Sequence, residues 1–147
     1  MSGPLEYRSS DLPEAAAIAD LYAAAKLRRP NHDVDRIARM VRGSNVTLAC
    51  FERLDDGGER LAGFLRGWTD YAHDGYVCDL AVHPDLQHRG IGKALLQRAM
   101  SIGAPEVQWV LLTSAIARDY YAHLGWEKAD SAWAWPREAY EGAVERP

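Results

Sequence analysis

With 147 residues, 48% of them hydrophobic and 26% charged, the chain has the length and composition of one compact domain that can bury a core and hold one cleft. A formal net charge of −4 argues against a protein that binds nucleic acid in bulk, although Arg28, Arg29, Arg36, Arg39 and Arg42 gather a local basic stretch. The two cysteines, Cys50 and Cys78, lie in separate apolar runs and read as reduced core residues; the five histidines show no zinc-ligand spacing, so no metal is expected.

In chain order, Leu5 to Arg8 alternates as a short strand, and Asp11-Leu12-Pro13-Glu14 reads as a capping box opening a helix to about Leu27, with Ile18, Leu21, Tyr22 and Ala25 as its apolar stripe. The apolar run Ala15 to Ala25 is broken by Asp20, and Glu6, Arg8 and Asp11 precede it. Neither a signal peptide nor a membrane span fits, and a cytoplasmic protein is expected. A second helix follows over Val34 to Arg42, with Gly43 as its stop. Then Val46 to Arg53, the turn Asp55-Asp56-Gly57-Gly58 and Arg60 to Thr69 give a hairpin, with Tyr76 to Val82 as the next strand. A helix from about Gly90 to Ile102 leads into a strand over Val107 to Thr113. Ser114 is placed to cap a short helix running to Leu124, where Gly125 stops it, and Trp126 to Ala129 and Ser131 to Trp135 are the last strands expected. With no repeat or linker, residues 1–147 read as a single α/β (α+β) domain: a mostly antiparallel mixed sheet flanked by about four helices, with one central βαβ crossover.

The chemistry concentrates in Leu80-Ala81-Val82-His83-Pro84-Asp85-Leu86-Gln87-His88-Arg89-Gly90-Ile91-Gly92-Lys93, where a strand ends, a loop turns and a glycine-punctuated helix begins. A helix start carries about four main-chain N–H groups without intrahelical partners and roughly half a positive charge, so it attracts an anion. Gly90 and Gly92 let a phosphate approach the main chain closely. The Walker A loop is excluded because Lys93 precedes Ala94, and the dinucleotide fingerprint is excluded because Leu95 stands where a third glycine is needed.

Val82-x-Pro84 followed by Gln87-x-x-Gly90-x-Gly92 resembles the acyl-CoA signature of the GNAT superfamily of N-acyltransferases. Tyr120-Tyr121-Ala122-His123-Leu124-Gly125-Trp126 is similar to that superfamily's Phe-Tyr-x-x-Leu-Gly-Phe segment. The resemblance covers Leu5 to about Trp135. It implies an acetyltransferase whose co-substrate is acetyl-CoA, with the pyrophosphate on main-chain N–H groups of Gln87, His88, Arg89, Gly90, Ile91, Gly92 and Lys93. The pantetheine arm would then lie along Leu80, Ala81 and Val82, adding to the strand edge as a pseudo-strand. It further implies that Tyr121 protonates the leaving thiolate. Ser114 stands where many relatives carry asparagine, which leaves the cap in place but not that residue's contacts.

Independently of the resemblance, Ile116, Tyr120 and Leu124 recur every four residues as a buried stripe, which makes Tyr120 a core residue and leaves Tyr121 free. On strand alternation, Tyr76, Cys78 and Leu80 share one face and Val77, Asp79 and Ala81 the other. Tyr76 and Cys78 match the family's usual base positions, and neither is a carboxylate. Asp79 has the wrong parity and reads as structural, so a base acting through water from Asp70, His73 or Asp74, or capture of the neutral amine, is expected. A thioester on Cys78 is disfavoured because no histidine stands beside it. Trp68, Tyr71 and Tyr76 with Asp70 and Asp74 suit a cationic amine. The expected reaction is acetyl transfer to a primary amine of a small molecule or peptide. The rivals are a protein amine as acceptor, a CoA-binding module without turnover, and an interaction domain with an empty cradle. Trp133 and Trp135 share one face of the last expected strand, which suits a core or a homodimer contact.

Overall fold

The computed structural model describes residues 3–114 and 117–138. Five strands, β1 (Leu5–Arg8), β2 (Val46–Arg53), β3 (Glu59–Thr69), β4 (Asp74–Val82) and β5 (Gln108–Leu111), form one sheet in sequence order. All neighbours are antiparallel except β4 and β5, which run parallel and are joined by a 3-10 turn (Pro84–Leu86) and helix α3 (Ile91–Met100). Helices α1 (Ala15–Ala24) and α2 (Val34–Arg42) precede β2, and a single turn, α4 (Tyr120–His123), follows β5. This is the expected mixed sheet with its βαβ crossover.

Strand alternation sends β2 to both faces. Val46, Leu48 and Cys50 pack with Ile91, Leu95, Leu96 and Ala99 on the α3 side, whereas Ala49 and Phe51 pack with Ile18, Leu21, Tyr22 and Ile37 on the other. The α3 contact requires Gly63 in β3, because a Cβ there would stand 2.8 Å from the Ile91 Cγ2 and 3.0 Å from the Leu95 Cδ1.

Several expected boundaries move, each for a local reason. The Asp11 capping box does not form: Leu12 precedes Pro13, which disfavours helical backbone, and Asp11 adopts φ +51, so α1 starts at Ala15 without a side-chain cap. α1 also ends early, at Ala24. Lys26 takes the left-handed position (φ +58), with Lys26 N–H donating to Ala23 O at 3.1 Å and Leu27 N–H to Tyr22 O at 2.9 Å, a Schellman closure made without glycine. α2 occupies the expected span, its Asp33 carboxylate accepting from Arg36 N–H at 3.0 Å. Among the described residues, Trp126 to Ala129 and Ser131 to Trp135 form no strand, and Trp133 and Trp135 are 97% and 96% exposed. No helix of the described residues is long and apolar enough to cross a membrane.

Candidate functional site

Two irregularities shape the site. The β3–β4 register steps from Arg66↔Asp79 to Gly67↔Val77, leaving Cys78 as an extra, bulged residue of β4. Gly67 permits this, since a Cβ there would stand 2.2 Å from Tyr76 O. The parallel ladder with β5 pairs Asp74 through Val77 with Gln108 through Leu111 and stops at the bulge. From Cys78 to Val82, no described strand lies on that side of β4. His83 N–H donates to Ala62 O at 2.8 Å, which fixes the alternation: Asp79 and Ala81 turn their main-chain groups toward β3, and Leu80 and Val82 turn theirs to the open edge. Of the three expected edge residues, Ala81 therefore lacks outward-facing main-chain groups.

At the end of this edge, the loop turns through two left-handed residues, His88 (φ +67) and Gly90 (φ +76), and Gly90 caps α3. Ala94 N–H is bonded to Gly90 O at 3.0 Å, so Ile91, Gly92 and Lys93 hold the N–H groups at the helix mouth that lack intrahelical acceptors. A Cβ on Gly90 would meet nothing within 4 Å, so the approach is open. Gln87, His88 and Lys93 have exposed side chains, and Leu86 and Ile91 anchor the loop in the core. The Arg89 guanidinium is directed elsewhere: its Nη2 donates to Gly3 O at 2.8 Å and its Nη1 lies 3.6 Å from Glu52.

The expected burial of the two tyrosines is reversed. α4 is one turn long, so the four-residue stripe has no helix to run along, and Ile116 lies outside the described residues. Tyr121 packs against the α3 core and meets Trp126 edge-on with centroids 6.0 Å apart; burial, and then Tyr120, push its phenol up to about 12. Tyr120 is 38% exposed, and its hydroxyl lies 2.7 Å from where a Gly92 Cβ would stand, over the first turn of α3.

Two acids near β4, Asp79 and Asp70, are occupied, whereas Asp74 at the start of β4 is exposed. Asp79 is 1% exposed and structural, although the bulge breaks the expected alternation by placing Val77 with Leu80 and Val82 on the α3 side and Ala81 on the other: Oδ1 accepts from Arg29 Nε at 2.6 Å, and Oδ2 from Arg66 Nε at 2.6 Å and the Tyr22 hydroxyl at 2.8 Å. Burial alone would raise this carboxyl, and the Arg29 and Arg66 guanidiniums overcome it and hold it below its ordinary value. Asp70 accepts main-chain N–H bonds from Ala72, His73 and Asp74, which lower it to about 2, so it caps its own loop and is a poor proton acceptor. Burial pushes the Cys78 thiol up, and Cys78 Sγ accepts from Arg66 Nη2 at 3.1 Å. Tyr76 is raised by burial and stacks on Trp68 at 6.0 Å with planes 8° apart, while the Arg66 guanidinium lies 5.1 Å from the Trp68 centroid. Between these contacts Trp68 stays 37% exposed. Among the described residues no group of three or more His, Cys, Asp or Glu could hold a metal.

An open strand edge running into a bare helix N-terminus offers main-chain groups suited to an extended, amide-bearing chain ending in an anion. Residues 13–126 match the model of the acetyltransferase (GNAT) family, and the chain belongs to that family. It superposes on a probable acetyltransferase from meticillin-resistant Staphylococcus aureus with a TM-score of 0.73 at 16% identity, covering 93% of this chain and all of that one. A PaiA N-acetyltransferase from Thermoplasma acidophilum, solved with coenzyme A, superposes with a TM-score of 0.61 at 15% identity, covering 88% of this chain and 93% of the other. A mycothiol acetyltransferase from Mycolicibacterium vanbaalenii is 40% identical over 50 residues, 31% of this chain and 17% of that protein. The chain thus spans less than two thirds of the length of the curated relatives it matches.

The residues that sequence reasoning missed are Arg29 and the bulged Cys78 carbonyl it holds at 3.0 Å through Nη2. Gly67 was the available signal, since a glycine inside a strand marks a bulge or a close main-chain approach.

Proposed function

We propose that the protein transfers the acetyl group of acetyl-CoA to a primary amine of a small molecule or peptide, by direct attack while both are bound. The observation that carries this reading is the unpaired edge of β4 opening beside the α3 N-terminus, with the Leu80 and Val82 main-chain groups and the Ile91, Gly92 and Lys93 N–H groups offered to one ligand. The arm of the co-substrate carries amides that pair with the edge, and its pyrophosphate is satisfied by the loop from Gln87 to Lys93 with Gly90 at its centre. The His88 and Arg89 contributions are through main chain, and Lys93 adds charge at the rim.

The neutral amine attacks the thioester carbonyl, the C–S bond breaks, and the nitrogen keeps the acetyl group and gives up its proton. Edge N–H groups polarise the carbonyl, and Tyr121, protonated at neutral pH, supplies the proton to sulfur. Bringing a protonated alkylamine to its neutral form at pH 7 costs about 4.6 kcal/mol. With the carboxylates of Asp79 and Asp70 committed elsewhere, that proton leaves through water. A second reading of the acid is favoured by the placement of the Tyr120 hydroxyl over Gly92.

The test is thiol release from acetyl-CoA by the purified chain across arylalkylamines, polyamines, amino acids, aminoglycosides and peptide N-termini. Turnover confined to one class supports the reading and names the acceptor. Silence with CoA bound moves the assignment to a protein amine or a module without turnover, and absence of CoA binding overturns it.

A further inference from the structure

Arg29, in the loop between α1 and α2, reaches across to β4 and forks over three acceptors. Nε donates to Asp79 Oδ1 at 2.6 Å, Nη2 to Cys78 O at 3.0 Å and Nη1 to Arg28 O at 2.7 Å. The placement matters because Cys78 is the bulged residue. A bulge leaves its extra residue without a ladder partner, and an unpaired carbonyl beside a strand end invites the neighbouring strand to re-pair or the bulge to migrate. Here the β4–β5 ladder ends at Val77, the next carbonyl belongs to Arg29, and the open edge begins at Leu80. Asp79 in turn is anchored by Arg66 and Tyr22, so the fork rests on a support that is buried and fully hydrogen-bonded.

Resting on the acyltransferase reading above, we propose that Arg29 is a positioning residue: it pins the Cys78 carbonyl, and through it fixes where β4 parts from β5 and therefore where the thioester sits. Three of its five N–H groups, one on each nitrogen, donate within the fold. The same residue lines a cleft of about 510 Å³ with Lys26, Leu27, Arg28, Asn31 and His32, so the loop that walls this cleft is tied to the acyl end of the edge. The pyrophosphate end, at Gly90, is untouched by it. The predicted effect is therefore on turnover and acceptor KM rather than on CoA affinity.

Arg29→Gln and Arg29→Lys are measured for CoA dissociation constant by calorimetry, Tm, and kcat and KM with the panel amine that wild type turns over fastest. Lysine keeps a cation against Asp79 and so preserves the fold, but a single ammonium cannot reproduce the planar fork. We expect both variants to bind CoA within twofold of wild type and to lose at least tenfold in kcat, with lysine restoring Tm without restoring kcat. If the glutamine variant fails to fold, the lysine variant carries the test. Arg29→Lys with wild-type kcat and acceptor KM overturns the inference while leaving the acyltransferase reading intact. If wild type binds CoA but acetylates nothing, amide exchange replaces turnover: the amides around the Cys78 bulge should exchange faster in Arg29→Lys than in wild type, and equal exchange overturns the inference. Wild type that binds no CoA overturns both.

Discussion

Substituting Gly90 by alanine separates the strain of the cradle from its chemistry. Gly90 holds φ +76, where an L side chain costs about 1–2 kcal/mol, partly offset by the smaller conformational freedom of the unfolded alanine chain, about 0.4–1 kcal/mol. The net loss is on the order of 1 kcal/mol, or about 2–4 °C in Tm for a chain of this size. The new methyl meets no protein atom within 4 Å; it enters the space through which an anion would reach the helix mouth. Losing one main-chain N–H bond to a charged oxygen removes about 1.5–3 kcal/mol, which weakens CoA binding about 10- to 100-fold. Gly57, in the β2–β3 turn, supplies the control because it holds φ +85 and a Cβ there also meets nothing within 4 Å. Gly57→Ala and Gly90→Ala should lose similar Tm in thermal unfolding, while calorimetry finds CoA affinity reduced only in Gly90→Ala. Equal CoA affinity in the two variants would refute the placement of the pyrophosphate at this turn.

Tyr121→Phe should lower kcat about 10²-fold with CoA affinity unchanged, and Tyr120→Phe should leave kcat within about threefold; the opposite pattern moves the acid to Tyr120. Because Tyr121 is pushed up to about 12, it stays protonated through neutral pH, and the pH–rate profile should carry no basic limb from it below about pH 10. Asp79→Ala strands the buried Arg66 guanidinium and the partly exposed one of Arg29 and should destabilise by about 3–5 kcal/mol, roughly 6–20 °C in Tm; a loss below about 1 kcal/mol would contradict the buried network. Asp70 is lowered from 3.8 to about 2, so its contribution to stability is complete above pH 3.8 and is lost as pH falls toward 2. The Tm gap between wild type and Asp70→Ala should therefore close over that window, and a constant gap would be inconsistent with the capping role. Sedimentation over a range of concentrations tests the homodimer expected through Trp133 and Trp135; a concentration-independent monomer removes it.

The elements legible in the sequence are those whose signals are local. Val34 to Arg42 carries its own cap and stop, and Val46 to Arg53 carries a period of two that packs both faces. The start of α3 was readable because glycine spacing at a strand–helix junction has few physical uses. The end of α1 was not, since a lysine takes the left-handed closing position usually held by glycine. The burial of Tyr120 and Tyr121 was misjudged because a four-residue stripe presupposes a helix longer than one turn. The structural role of Asp79 was expected, but strand parity does not carry across the Cys78 bulge, and its partner Arg29 comes from 50 residues away, a pairing that no local pattern reports. The placement of Asp70 within its own turn was likewise invisible, because a loop carboxylate reads the same whether it caps the main chain or faces a substrate.

The open edge of β4 divides recognition from identity. At Leu80 and Val82 the side chains pack toward the α3 core while the main-chain groups face outward, so the residue type at each position answers to packing and the hydrogen-bonding pattern does not. Substitutions there that keep volume should drift without retuning the co-substrate. On the proposed reading, Tyr71, Tyr76 and the loop from Lys26 to Asn31, by contrast, offer side chains to the acceptor, and changes in them would alter what is accepted. One half of the site is thus written in backbone and held constant by the fold, and the other is written in side chains and open to retargeting by a library confined to those positions.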